Sequence, residues 1–181
     1  MNDGLIPNRY AKALYKFAVG QKDAGDVYAG TSLLVKSYMS EPGLAKAVEN
    51  PFLPVADKVR VLLAASGAAA GKSLEKFFKL VLSHGRESLL LQMALAYGRI
   101  YREANGISQV EITTATEFPE PDMKKIRDYV QSCLSGRKLE YNETVDPSLI
   151  GGFTVKVDSL LLDASISNEL RNLRLKLLSR K

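Results

Sequence analysis

One cysteine, Cys133, and one histidine, His84, are all that this 181-residue chain holds of those two types. A lone cysteine closes no internal disulfide, so a disulfide framework is excluded and a reducing compartment is allowed. Zinc sites built from Cys and His clusters have no material here. A histidine-dependent catalytic triad would rest on His84 alone. Long apolar runs are missing too. The longest uncharged apolar-rich stretches, Val61 to Gly71 and Ser88 to Gly98, are too short to span a bilayer. The first residues carry no basic region leading into an apolar core, which predicts no secretory signal. The expectation is a soluble chain with no metal, no cofactor and no membrane insertion.

What is present is ordinary for a folded protein: 46% hydrophobic and 25% charged residues, enough for one domain or two small ones. The formal net charge of +5 is unevenly placed. From Ile166 onward, Arg171, Arg174, Lys176, Arg180 and Lys181 oppose only Glu169. Cations at a helix C-terminus favour the macrodipole; docking onto an acidic partner or a nucleic acid is the functional alternative. Aromatic residues for base stacking are absent from that segment, which argues against nucleic acid.

The first hundred residues read as helix after helix. Tyr10, Leu14 and Phe17 mark one face of the first, with Ala11 and Ala18 as an adjoining small-residue face. Breaks at 20–25, at Glu41-Pro42-Gly43 and at Asn50-Pro51 bound a second helix and a short third. Pro54 opens a fourth, with Val55, Val59, Leu62 and Leu63 inward. A fifth runs from Leu74 to Ser83 with Leu74, Phe77, Phe78 and Val81 at helical spacing, and His84-Gly85 terminates it. A sixth, from about Glu87 to Ala104, ends at Asn105-Gly106.

Beyond Gly106 the period changes. Val110, Ile112 and Thr114 alternate in a strand; Met123, Ile126, Val130 and Cys133 mark a helix face, with Cys133 expected as a buried small hydrophobe. Leu139, Tyr141 and Val145 alternate in a second strand. Gly151-Gly152 then opens a third, with Phe153, Val155 and Val157 on one face. Asp158-Ser159 reads as a hairpin turn and Leu160 to Leu162 as the return strand. Asp163 and Ser165 stand at the cap of a final helix striped by Ile166, Leu170, Leu173 and Leu177. The expected fold is mainly α with a small α+β domain: a six-helix bundle over 1–105, then a β-α-β-β-β-α domain over 106–181.

Sharper motifs weaken on inspection. Gly67-Ala68-Ala69-Ala70-Gly71-Lys72-Ser73 resembles a phosphate loop, but its glycines enclose three residues where the loop needs four. A helix–helix connector is expected. Glu117, Glu120 and Asp122 sit among prolines at a helix start, where carboxylates suit the macrodipole. His84 reads as a helix terminator.

Four features in order carry a family resemblance: Arg9-Tyr10-Ala11-Lys12-Ala13-Leu14, Asn50-Pro51, His84-Gly85-Arg86, and Leu149-Ile150-Gly151-Gly152-Phe153 with Leu162-Asp163-Ala164-Ser165. Together they resemble the delta subunit family of F-type ATP synthases, which includes the mitochondrial oligomycin-sensitivity-conferring protein. The resemblance covers essentially the whole chain. It implies a non-catalytic stator subunit of a hetero-oligomer, linking the catalytic head to the peripheral stalk at the cytoplasmic face of a bacterial plasma membrane. The helical domain would receive the N-terminal helix of an alpha subunit between its first and fifth helices. Carried over, those present Tyr10, Ala11, Ala13, Leu14, Phe17 and Ala18, with Phe77, Phe78, Leu80 and Val81 opposite; the alternative, which helical spacing alone favours for any one of them, is bundle core. Ala11 and Ala18, taken as exposed, are expected to be better contact residues than Phe17. The second domain would hold the b subunit of the stalk, through Leu170, Leu173, Leu177 and Leu178, with Gly151 and Gly152 shaping the backbone. Packing of that leucine stripe on its own sheet is the alternative. From other classes, a basic RNA-binding protein and a nucleotide-dependent enzyme using the 67–73 loop are the rival readings.

Overall fold

The structure, a computed structural model, describes residues 4–67, 72–134, 136–157 and 160–178. The chain divides into two compact units, Met1–Ala104 and Asn105–Lys181.

Among the described residues, the first unit contains α1 (Leu5–Gln21), α2 (Ala24–Ser40), α3 (Pro42–Glu49), α4 (Val55–Ser66), α5 (Ser73–Ser83) and α6 (Leu90–Asn105), the last entered through a 3-10 turn at Glu87–Leu89. Pro42 begins α3 in the first turn, where its missing N–H leaves nothing unpaired. Gly67 and Gly85 take positive φ, 60° and 59°, just past the ends of α4 and α5. Only a residue without a Cβ adopts that conformation freely. The core is built on Leu14, Leu34, Leu62, Leu74, Phe78, Met93 and Tyr97, all buried. Tyr97 keeps its hydroxyl satisfied by donating to the Ala24 carbonyl at 3.0 Å.

Two polar contacts hold the helices in register. Asp23, between α1 and α2, accepts from the Ser73 amide at 3.2 Å and its hydroxyl at 2.9 Å, capping α5 from a distant part of the chain. Lys58 on α4 is 4% exposed and reaches Glu87 at 3.1 Å. Truncating one partner of such a pair strands a buried charge. Glu87→Ala is therefore expected to destabilise the protein by roughly 3 kcal/mol, read as a lowered urea midpoint. Adding Lys58→Met is expected to recover most of that loss. An unchanged midpoint in the single variant contradicts it.

In the second unit, β1 (Ile107–Thr114), α7 (Glu120–Cys133), β2 (Lys138–Val145), β3 (Gly152–Val157), β4 (Leu160–Ser165) and α8 (Ile166–Leu178) follow in order, with a 3-10 turn at Pro147–Leu149. The sheet order is β2-β1-β3-β4. β1 and β2 are parallel, joined by the α7 crossover, whereas β3 runs antiparallel to both β1 and β4. Val110 and Ile112 of β1, Val155 of β3, and Met123 and Val130 of α7 form one buried cluster.

Several expectations change. Cys133 is exposed, because α7 ends there and the residue has no turn above it to pack under. Val55, expected inward, is half exposed, since it begins α4 and precedes the inward turn of Val59 and Leu62. The hairpin turn at Asp158-Ser159 and the central residues 68–71 of the phosphate-loop lookalike lie outside the described residues. The flanking Lys72 and Ser73, which a phosphate loop would turn to its nucleotide, are engaged by Asp26 at 2.6 Å and by Asp23. Two carboxylates there repel a polyphosphate.

Candidate partner-binding surfaces

α1 and α5 lie side by side and antiparallel, because Tyr10 near the start of α1 meets His84 after α5, while Phe17 further along meets Lys76 near the start of α5. Between them runs a groove of about 1030 Å³. Each helix shows it one stripe. From α1 come Ile6, Tyr10, Ala13 and Phe17, at spacings of four, three and four; from α5 come Ser73, Lys76, Phe77 and Leu80, with His84 and Arg86 beyond its end.

The helical period decides which of the expected contact residues reach this groove. Tyr10, Ala13, Leu14, Phe17, Phe77 and Leu80 line it. Ala11, Ala18, Phe78 and Val81 do not, being fully buried in the bundle core. Ala11, Leu14 and Ala18 repeat one position after Tyr10, Ala13 and Phe17, and one position is 100° of rotation. The expectation that Ala11 and Ala18 are exposed is therefore corrected. Their small side chains let α1 sit close to its neighbours, and the exposed residue is Phe17, at 40%, facing Leu80, at 46%.

The groove's polar groups belong to its rim. Arg86 donates to the Tyr10 hydroxyl at 3.0 Å, with its guanidinium 5.2 Å from the ring centre. The Tyr10 hydroxyl is also hydrogen-bonded to His84 Nδ1, 2.6 Å away. Lys76 lies 5.5 Å from the centre of the Phe17 ring. Ile6, Arg9, Ser73, Lys76, His84 and Arg86 were missed as groove residues. The signal for Ile6 was available, as the residue four before Tyr10 on the same stripe.

The second unit offers an apolar surface of different origin. No residue of α8 is buried; Leu170, Leu173, Leu177 and Leu178 are all more than half exposed. In the chain alone the leucine stripe is thus not covered by its own sheet. Leu160, Leu161 and Leu162 of β4 are exposed as well. α8 is started by a compact cap. The Ser165 amide and hydroxyl donate to Asp163 Oδ1 at 3.0 and 2.6 Å, and the Asn168 amide donates to Ser165 Oγ at 3.2 Å.

Those bonds from Ser165, with a smaller contribution from Arg171, hold the Asp163 carboxyl below the ordinary carboxylate range. A carboxyl depressed on folding stabilises the native state above its unfolded value, about 3.9, and loses that contribution as pH falls through the folded one. The start of α8 is expected to loosen below about pH 4, followed by hydrogen exchange at Asn168. Asp163→Asn is expected to flatten that acid response. The same acid response in both proteins would assign it elsewhere.

Gly151 and Gly152 lie at the mouth of the hairpin. Gly152 has φ +79°, and a Cβ there would sit 2.2 Å from the Ala164 carbonyl oxygen. A Cβ on Gly151 would meet the Ile166 Cδ1 at 2.5 Å, the movable end of a side chain. Backbone cannot yield as a methyl can, so Gly152 is the stricter position.

Among the described residues no cluster of His, Cys, Asp and Glu suits a metal ion, and no helix is long and apolar enough to cross a membrane. Glu120 and Asp122 each face a cation, Arg127 and Lys125, both at 2.9 Å, as expected of a solvated helix start.

Comparison with known proteins gives one consistent result. A family model described as ATP synthase delta (OSCP) subunit matches residues 6–177. The ATP synthase subunit delta of Parabacteroides distasonis is 34% identical over 181 residues, covering 100% of both chains. That of Trichodesmium erythraeum is 31% identical over 175 residues, 96% of each. Among solved structures, a chain of the Toxoplasma gondii mitochondrial ATP synthase hexamer shares the fold with a TM-score of 0.74 at 18% identity, over 95% of this chain and 97% of that one. The RNA-binding reading of the basic tail has no counterpart among these relatives. With the family model spanning nearly every residue and a relative aligned end to end, the chain belongs to the ATP synthase delta (OSCP) subunit family.

Proposed function

We propose that this non-catalytic ATP synthase subunit is a two-ended link of the stator. The first unit takes the N-terminal helix of an alpha subunit into the α1–α5 groove. The second holds the peripheral-stalk b subunit on the exposed leucines of α8, at the cytoplasmic face of a bacterial plasma membrane. The observation that carries this reading is the groove itself. Phe17 and Leu80 stand 40% and 46% exposed on either side of a buried floor of Leu14 and Phe77. A helix pair presenting an open apolar seam is the receiving half of helix-in-groove recognition. α5 has 11 residues, so at 1.5 Å per residue the seam suits about three turns of a partner helix.

A stator link does its work by staying bound under torque, which requires grip at both ends and no moving chemistry between them. Membranes stripped of the chain are expected to hydrolyse ATP without pumping ions, and adding the purified chain back is expected to restore pumping. Full pumping in its absence would contradict a stator role.

A further inference from the structure

We infer that the α1–α5 groove selects its helix by charge as well as by shape: the alpha-subunit segment that docks there carries carboxylates flanking its apolar stripe, paired with Arg9 and Arg86 at one end and Lys76 at the other. The inference rests on the groove being the docking site for the head.

The lining residues include three cations, Arg9, Lys76 and Arg86, and no carboxylate. Among the described residues none of the three makes an ion pair. Some cations elsewhere in the same unit, Lys58, Arg60, Lys72 and Lys79, have acidic partners, Glu87, Asp57, Asp26 and Glu75. At the groove, aromatic rings take that place. Lys76 lies over Phe17, and Arg86 over Tyr10. A ring holds a cation in position but neutralises none of its charge and uses few of its donors. Arg86 gives one N–H to Tyr10, and Tyr10 is fixed in turn by His84. The guanidinium is thereby pre-organised, with its remaining donors free for a planar carboxylate.

Covering this groove with a purely apolar helix would strip water from the half-buried Arg86 without replacing it, an unfavourable exchange. A helix bearing carboxylates beside its stripe removes that penalty, so the rim discriminates against neutral and basic helices of equal hydrophobicity. The two arginines lie at one end and the lysine at the other, so the strongest acidic requirement falls at the end where α1 begins.

The test is calorimetric titration of the full chain with a synthetic peptide of the alpha-subunit N-terminal segment from the same complex, at low and high salt. A second peptide has its Asp and Glu changed to Asn and Gln. The native peptide is expected to bind about tenfold more tightly than the neutral one at low salt, with the gap closing at high salt. Arg86→Gln is expected to weaken the native peptide and leave the neutral one nearly unchanged, the pattern of direct coupling. Equal affinity of the two peptides overturns the inference while leaving the docking site intact. So does a native segment without flanking carboxylates, or an Arg86→Gln loss shared equally by both peptides. Failure of either peptide to bind overturns the docking site itself, and the inference with it.

Discussion

Gly152→Asp is expected to dismantle the β3–β4 hairpin and separate the subunit from its stalk while leaving the helical unit folded. Gly152 pairs with Ser165 at the mouth of the hairpin, at φ +79°, where a Cβ would lie 2.2 Å from a backbone oxygen. Holding a non-glycine residue there costs roughly 1–3 kcal/mol in backbone strain. Relieving the overlap means opening the Gly152–Ser165 end of the ladder, which also carries the cap of α8. A total near 4 kcal/mol is a large part of the stability of a small unit. Hydrogen exchange is expected to quicken in β3, β4 and α8, with α4 to α6 protected as before. Gly151→Ala is the control. It meets only the Ile166 side chain, Cδ1 at 2.5 Å and Cγ1 at 3.2 Å, and a loss of about 1 kcal/mol is expected. Slow exchange in β3 and β4 of the Gly152→Asp protein would show that the hairpin tolerates the overlap.

Phe17→Ala combined with Leu80→Ala is expected to abolish useful binding of the alpha-subunit helix, with little change in stability. Truncating a central apolar anchor costs about 2 kcal/mol in affinity, so the pair together should weaken binding by at least 100-fold, roughly. Because both side chains are about half exposed in the free chain, each truncation should cost less than about 1 kcal/mol of folding. Ala11→Leu is expected to do the reverse. Ala11 is 0% exposed, and a larger side chain there overpacks the bundle by about 1–3 kcal/mol without touching the groove wall. Titration with the alpha-subunit peptide and urea unfolding separate the two effects. Retained affinity in the double variant would remove the groove from the interface.

The contrast between Phe17 and Ala11 shows what the sequence could and could not disclose. Apolar spacing announced α1 and α5, and the change of period after Gly106 announced a sheet following the helices. Spacing alone does not say which of two neighbouring stripes is inner. On α1 the stripes of Tyr10, Ala13, Phe17 and of Ala11, Leu14, Ala18 differ by a single residue. The side covered is set by packing against α2 and against α5, the latter remote in sequence. Smallness suggested exposure for the alanines, whereas close helix packing selects small residues for the interior.

Cys133 failed for a related reason, since a helix face loses its cover at the last turn. Lys58 was illegible as a buried residue because its partner, Glu87, lies on another element. The basic groove rim was equally hidden, as Arg9, Lys76 and Arg86 come from three places in the chain and line one groove only once α1 and α5 pack together. By contrast, the cap at Asp163 and Ser165 and the glycine pair were readable, because their physics is local.

The stator reading is tested most directly by which partner each surface retains. Tagged wild-type chain, the Phe17→Ala/Leu80→Ala variant and the Gly152→Asp variant would each be recovered from detergent-solubilised membranes of the source cell. Wild type is expected to bring down both alpha and b subunits. The groove variant is expected to keep b and lose alpha, and the glycine variant to keep alpha and lose b. Loss of the same partner from both variants, or of neither, would contradict a link with one partner at each end.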